Sequence, residues 1–85
     1  MMIRNTQLDE LIELLINIKN KKEMGDFLLE LISPKELEEI PTRLQIVKLL
    51  KKGISQHKIA EGLGIGVATV TRGSKEIQNG RFKNI

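Results

Sequence analysis

A glycine at position 64, four residues after an alanine, most constrains how this chain can fold. Two short helical patterns flank Gly64, and a small residue at Ala60 allows two helices to cross closely at a tight turn. Apolar residues fall at the positions that would hold both helices to the rest of a domain, namely Ile59, Leu63, Ile65 and Val70. Six positions that agree in one frame predict a helix-turn-helix from Gln56 to Arg72.

The same segment has polar side chains where such a motif reads DNA. Ser55 can cap a helix from Gln56 to Leu63, and a second helix is predicted from Val67 to Ile77. In a helix-turn-helix this second helix enters the major groove, and its start leaves exposed Ala68, Thr69, Thr71 and Arg72. The pattern favours a DNA-reading motif over a purely structural helical hairpin.

The N-terminal sequence predicts two further helices. Apolar residues recur at spacings of three and four from Leu8 to Ile18, which indicates a helix. The apolar residues cover more of the helix surface than packing on one small core requires, which favours a second subunit as its partner. A second short helix is predicted from Glu23 to Ile32.

A central helix follows, with clear start and stop signals. Ser33 can cap it, Pro34 suits its first position, and Glu36 completes a capping box. Pro41 lacks a backbone N–H, so we expect a kink or a restart there, and Gly53 ends the helix.

These patterns predict an all-α fold: a small helical domain with a helix-turn-helix that forms an intertwined homodimer. The predicted organisation is one domain over 1–85, with dimerisation helices at 1–32, a central helix or helices at 33–53, a reading head at 55–78 and a frayed tail at 79–85.

The charge of the chain is divided between its two halves. Residues 1–40 have five Lys and Arg against nine Asp and Glu, a net charge of −4. Residues 41–85 have nine against two, a net charge of +7, and together the halves give the +3 of the chain. A basic half that contains the helix-turn-helix is the electrostatic pattern of a surface that binds nucleic acid.

Candidate DNA contacts lie in both helices of the motif and in its turn. They are Gln56, His57, Lys58, Gly66, Val67, Ala68, Thr69, Thr71, Arg72 and Lys75. We expect Ala68 and Thr69 to lie nearest the base edges, whereas Lys58 and Lys75 neutralise phosphates. Each of these cations could equally be an ordinary solvated side chain.

Several classes of function have little support. The chain has no Cys, which excludes disulfides and thiolate metal sites and suits a reducing cytoplasm, and its single His57 predicts no metal site. No run of eighteen uncharged residues could span a membrane, and the start Met1-Met2-Ile3-Arg4 lacks the apolar run of a signal peptide. An enzyme is not expected, because His57 lacks an orienting partner in sequence and no carboxylate pair has an apolar context.

From Ser33 to Ile77 the sequence resembles the tryptophan repressor family, small bacterial dimers that bind operator DNA when tryptophan is bound. The likeness rests on Ser33-Pro34, on Pro41-Thr42-Arg43 leading into Ile46-Val47, and above all on Ala-Thr-Val-Thr-Arg-Gly-Ser from Ala68 to Ser74. The N-terminal helices fit only in pattern and look more like the tryptophan-repressor-like relatives. The resemblance implies an all-helical dimer with interlocked N-terminal helices.

The resemblance also implies a corepressor site between the central helix and the reading head. Arg43 and Arg72 match the two arginines that sandwich the indole ring, and guanidinium planes both stack on aromatic faces and pair with carboxylates. Ser33 matches a Thr of the other subunit that assists the ligand carboxylate. Backbone carbonyls near Glu30 and Ile32 would accept from the ligand amine.

Other matched positions agree with the family only in part. Gly73 matches a position where the ring lies close to the backbone. Glu76 stands where a small polar residue is common, so its carboxylate could pair with the ligand amine or repel the ligand carboxylate. His57 replaces a basic residue that contacts bases, and Pro41 replaces Gly. The sequence ends where the family usually has a further helix, so we expect a less covered core.

Three functions remain open. The first is a corepressor-dependent transcriptional repressor that responds to L-tryptophan, which Arg43, Arg72 and Ser33 favour. Its expected partners are double-stranded operator DNA, a second copy of the chain and a small-molecule effector. No cofactor beyond the corepressor is expected. The second is a constitutive or other-effector DNA-binding regulator, which Glu76 and the N-terminal helices favour. The third is a protein-interaction or transposase-associated fragment, against which the near-complete scaffold argues.

Overall fold

In the computed structural model, which describes residues 3–85 and side chains from Thr6 onward, the chain is almost entirely helical. Its helices are α1 Ile3–Asn17, α2 Lys21–Leu31, α3 Pro34–Lys51, α4 Gln56–Leu63 and α5 Val67–Gln78. No strand occurs in this range, which confirms the predicted all-α class. None of these helices combines the length and apolar character that a membrane span needs. Met1 and Met2, at the start without a signal-peptide pattern, lie outside the described residues.

The chain forms two compact units, Met1–Pro34 and Lys35–Ile85, and the first contains α1 and α2. α2 begins at Lys21 because the Asn20 side chain accepts a hydrogen bond from the Glu23 backbone N–H at 2.8 Å. The helix therefore starts two residues earlier than the apolar pattern predicts. None of the side chains described in residues 6–34 is buried.

The second unit has a small core made by three helices. The buried residues Ile46, Ile59, Ala60 and Val70 form one cluster. Packed against it are the partly buried residues Leu49, Leu50, Ile54, Leu63 and Ile65. The apolar positions predicted to hold the helix-turn-helix together therefore lie in or against the core, as expected from their spacing.

The central helix does not restart at Pro41, although a restart was one of the two outcomes expected there. α3 runs without interruption from Pro34 to Lys51. Pro41 removes one backbone donor, but Ile46 and Val47, five and six residues later, are buried at 2% and 0% exposure. Packing of this kind stabilises a helix more than intrinsic propensity does, which accounts for the continuous helix.

The turn between α4 and α5 depends on Gly64. The Ser55 side chain caps α4 by accepting from the Lys58 backbone N–H at 3.3 Å. Gly64 ends α4 in the left-handed conformation, with φ 67° and ψ 37°, and its N–H donates to the carbonyls of Ala60 and Glu61. The Ile65 N–H then donates to the Ala60 carbonyl at 3.0 Å, and a turn of only three residues, 64–66, connects α4 to α5.

The segment 79–85, expected to be frayed, has specific hydrogen bonds to both neighbouring helices. The Arg81 backbone N–H donates to the Glu76 carbonyl of α5 at 3.0 Å. The Lys51 ammonium, at the end of α3, donates to the Phe82 carbonyl. The segment is therefore joined to α3 and α5 within the second unit.

We predict that Gly64→Ala lowers the free energy of unfolding by about 1–2 kcal/mol, because a Cβ is strained in the left-handed conformation. Gly62→Ala is the matched control, since Gly62 is helical and a Cβ there meets nothing within 4 Å, as at Gly64. The control gains up to about 1 kcal/mol from helix propensity. Urea unfolding at equal protein concentration measures both, and equal effects would rule out the turn conformation as the cause.

Candidate functional site

A cleft of about 940 Å³ lies between α3, α5 and the segment after α5, within the second unit. Its α3 wall consists of Lys35, Glu38, Glu39, Thr42, Arg43, Ile46 and Val47. The opposite wall consists of Ile65, Thr69, Arg72, Gly73 and Glu76, and the end is lined by Arg81 and Phe82. The cleft therefore has an apolar base with charged groups around it.

Four of the five residues predicted to bind a ligand line this cleft. Arg43 reaches it from α3, whereas Arg72, Gly73 and Glu76 reach it from α5. The fifth, Ser33, belongs to the first unit, and its role stays a prediction. The packing of α3 and α5 thus brings together residues that are about thirty positions apart in sequence.

Gly73 permits the close approach of α3 and α5. A Cβ built at Gly73 would lie 2.9 Å from Cγ2 of Ile46 and 3.7 Å from Cδ1 of Leu50. The first distance is shorter than van der Waals contact, and Ile46 is only 2% exposed. The absence of a side chain at this position is thus required by helix packing, whatever the cleft binds.

Sequence reasoning did not find the rest of the α3 wall. Lys35, Glu38, Glu39 and Thr42 precede Arg43 at intervals of three and four, so one helical face contains them all. This periodicity was a usable signal once Arg43 was suspected. Arg81 and Phe82 had no such signal, because their position depends on the turn at Gly80, where φ is 86°.

The charges in the cleft are of both signs. Its lining has four basic residues, Lys35, Arg43, Arg72 and Arg81, and three acidic ones, Glu38, Glu39 and Glu76. Glu76 forms an ion pair with Arg81, with Oε2 and Nε 3.3 Å apart. A cleft with both signs and an apolar base suits a small zwitterion that has an apolar side chain.

The outer side of α5 has a separate hollow of about 420 Å³. It is lined by Ala68, Thr71, Arg72 and Lys75, which lie at helical spacing on one stripe. All four are predicted DNA contacts. Thr69, predicted beside Ala68 at the base edges, is exposed but lines the cleft instead. Arg72 lines both the cleft and the hollow.

The remaining predicted DNA contacts lie around the ends of α4 and α5. His57 and Lys58 are exposed near the start of α4, and Gly66 precedes α5 with no side-chain cap for the helix. The Thr71 hydroxyl lies 2.6 Å from Oε1 of Gln56, a contact that joins the two helices. Among the described residues, no group of three His, Cys, Asp or Glu could hold a metal ion.

A helix-turn-helix with an exposed polar second helix, packed beside a charged cleft, defines the class of helix-turn-helix transcription regulators. Comparison with known proteins narrows this class, since the sequence profile of the family described as Trp repressor protein matches residues 6–84. The chain belongs to the Trp repressor family.

Individual relatives agree with this assignment. The chain is 36% identical over 74 residues to the Trp operon repressor homolog of Vibrio vulnificus, covering 86% of this chain and 72% of that protein. It is 37% identical over 75 residues to the homolog of Photobacterium profundum, covering 87% and 73%. With the homolog of Vibrio cholerae it shares 44% over 50 residues, covering 58% and 48%.

Membership of this family establishes the general function. Members of the Trp repressor family are regulators and not enzymes, so this protein is a transcription regulator of the repressor type.

We predict that Gly73→Ala lowers the free energy of unfolding, because the new Cβ overpacks against Ile46 at a cost of about 1–3 kcal/mol. The better helix propensity of Ala offsets up to about 1 kcal/mol of this loss. Thermal unfolding measures the change. Ile46→Leu removes the Cγ2 methyl that the new Cβ would meet, so the double variant should recover part of the loss. If Gly73→Ala is as stable as the parent, the close approach of α3 and α5 does not depend on this glycine.

Proposed function

We propose that this protein is a homodimeric repressor that binds double-stranded operator DNA through α4 and α5 and takes L-tryptophan as corepressor in the cleft. The observation that carries this proposal is that one helix, α5, supplies both a wall of the cleft and the stripe of predicted DNA contacts. Arg72 belongs to both surfaces. A ligand in the cleft therefore contacts the same helix that would read DNA.

The cleft suits the three parts of the proposed ligand. Arg43 and Arg72 offer guanidinium planes to an indole ring, and Arg72 pairs with the carboxylate. Ile46 and Val47 supply an apolar base. We include Ser33 of the partner subunit as a further hydrogen-bond donor to the carboxylate, on the strength of the family resemblance alone.

The outer side of α5 suits a DNA duplex. Its stripe of Ala68, Thr71, Arg72 and Lys75 combines small groups, which allow close approach to base edges, with two cations for phosphates. Lys58 adds a further exposed cation at the start of α4. The net charge of +7 over residues 41–85 supports the same surface.

The mechanism we propose is a shift in the population of α5 positions. With an empty cleft, the reading heads of a dimer sample positions that miss successive major grooves, which lie about 34 Å apart. A ligand that contacts both α3 and α5 favours one position. A mostly inactive population becomes mostly active when the ligand binds the active position more tightly than the inactive ones by several kcal/mol. Charge-assisted hydrogen bonds to a carboxylate contribute roughly 1.5–3 kcal/mol each to such a difference.

A homodimer is supported by the surface of the N-terminal unit. Large apolar side chains there are well exposed, including Leu8 at 55%, Leu14 at 54%, Ile16 at 66% and Leu29 at 65%. Apolar surface of this extent is typical of an interface rather than of a monomer. A second copy of the chain, whose N-terminal helices have the same exposed residues, is the partner we propose.

A second candidate is a constitutive regulator on the same scaffold. The observation that favours it is the presence of Glu76, Arg81 and Phe82 in the cleft. In this alternative these side chains take the place of an effector, and α5 is held in its DNA-binding position without one.

We predict a particle of twice the 9.6 kDa chain mass in sedimentation equilibrium at micromolar concentration. Leu14→Glu should shift it toward monomer, because a charge would be buried in the interface. Gln7→Glu introduces the same charge at an exposed polar position of α1 and is the control. A single 9.6 kDa species for the parent chain would exclude the dimer.

We predict that Lys75→Ala weakens binding to all duplexes about equally and reduces the slope of log affinity against log salt by about one, since Lys75 acts on a phosphate. Thr69→Ala, at an exposed position beside Ala68, should instead change the preference among operator sequences; because Thr69 also lines the cleft, all affinities are measured at one fixed L-tryptophan concentration. Lys48→Ala removes an exposed cation of α3 that lines neither the cleft nor the hollow and is the matched control. Identical behaviour of the Lys75 and Thr69 variants on a panel of operators would show that the reading face is misassigned.

We predict that titration with L-tryptophan releases or absorbs heat with one site per subunit, and that millimolar L-tryptophan raises operator affinity. Arg43→Ala should remove both responses and leave weak, nonspecific DNA binding nearly intact, because Arg43 lines the cleft but not the hollow. Lys48→Ala again serves as control. No heat and an unchanged operator affinity for the parent protein would favour the constitutive regulator.

A further inference from the structure

The segment after α5 folds back onto the cleft and is fixed at two points. The backbone N–H groups of Gly80 and Arg81 donate to the carbonyls of Ile77 and Glu76, each at 3.0 Å. The Lys51 ammonium donates to the Phe82 carbonyl and so joins the segment to the end of α3. These contacts bring the side chains of Arg81 and Phe82 to the lining of the cleft.

Arg81 meets Glu76 at the edge of the cleft. The two groups lie 3.3 Å apart, with side-chain exposures of 71% for Arg81 and 42% for Glu76. An exposed pair of this kind contributes little to folding stability. Its consequence lies in the charge that it presents to a molecule in the cleft.

Glu76 has a second possible partner on its own helix. Arg72 precedes Glu76 by four residues on α5, and both side chains line the cleft. Residues four apart on a helix are neighbours, so a carboxylate released by Arg81 can pair with Arg72. The Arg72 guanidinium is the group that the proposed function assigns to the ligand carboxylate.

We propose that Arg81 is a selectivity-determining positioning residue: it holds Glu76 and so keeps Arg72 available for the carboxylate of a small molecule in the cleft. The proposal rests on the proposed function, since it concerns the same cleft. According to this proposal, Arg81 affects how strongly the ligand carboxylate is bound and does not affect binding of the apolar part of the ligand. Without Arg81, the cleft favours a ligand with an amine and no carboxylate.

The test is calorimetric titration of the full chain with three indoles: L-tryptophan, indole-3-propionate, which lacks the amine, and tryptamine, which lacks the carboxylate. Arg81→Gln should weaken the binding of indole-3-propionate relative to that of tryptamine by about twofold to fivefold, the range of a single exposed charge interaction. Arg81→Lys keeps the charge and should keep the selectivity. Lys83→Gln removes a neighbouring exposed cation that does not line the cleft and is the matched control.

A double-variant comparison separates this role from a general effect on structure. In a Glu76→Gln background there is no carboxylate for Arg81 to hold, so Arg81→Gln should leave the ratio of the two affinities unchanged. The role of Arg81 is overturned if Arg81→Gln lowers the affinity for all three ligands equally, or if it changes the affinity ratio by the same factor in both backgrounds. In either case, L-tryptophan binding by the parent chain would still support the proposed function. Failure of the parent chain to bind any of the three indoles overturns both.

Discussion

The close packing of α5 on α3, at Gly73 and Ile46, is the contact on which the arrangement of the second unit depends. A Cβ at position 73 would lie 2.9 Å from the Ile46 side chain, so the two helices approach as closely as they do only because that residue is glycine. Ile46 also belongs to the buried cluster that holds Ile59 of α4 and Val70 of α5. α5 has twelve residues, too few for a stable isolated helix, so its position comes from these contacts. Any molecule that changes the contact of α5 with α3 therefore acts on the helix that the proposed function places against DNA.

The two units obtain stability in different ways. The second has a buried cluster that includes Val70 at 0% exposure and Ile46 and Ile59 at 2% each. In residues 6–34 no described side chain is buried, although leucine and isoleucine are frequent. A small domain has little apolar surface to bury and a small free energy of unfolding. Apolar side chains that stay exposed in a single chain are therefore a large part of the burial that could stabilise it. This contrast is the structural basis for proposing a second copy as partner of the first unit.

The sequence by itself determined the features that depend on a few adjacent residues. Ser55 as cap, Gly64 as the glycine of a tight turn and the periodic Ile59 and Val70 sufficed to predict α4, α5 and the motif that they form. Local conformational preferences and side-chain periodicity act over three to five residues, so a single sequence contains them in full. Arg43 and Arg72 were proposed as partners only through the resemblance to the tryptophan repressor family.

Only the tertiary structure decided the features that join distant segments. Local chemistry predicted a kink or a restart of the central helix at Pro41. The helix does not restart there, because burial of Ile46 and Val47 outweighs one lost backbone hydrogen bond. The packing role of Gly73 becomes visible once Ile46 lies opposite it. The position of Arg81 in the cleft likewise depends on bonds to α5 and, through Phe82, to α3. Such contacts join residues up to thirty-one positions apart, and no local pattern in the sequence encodes them.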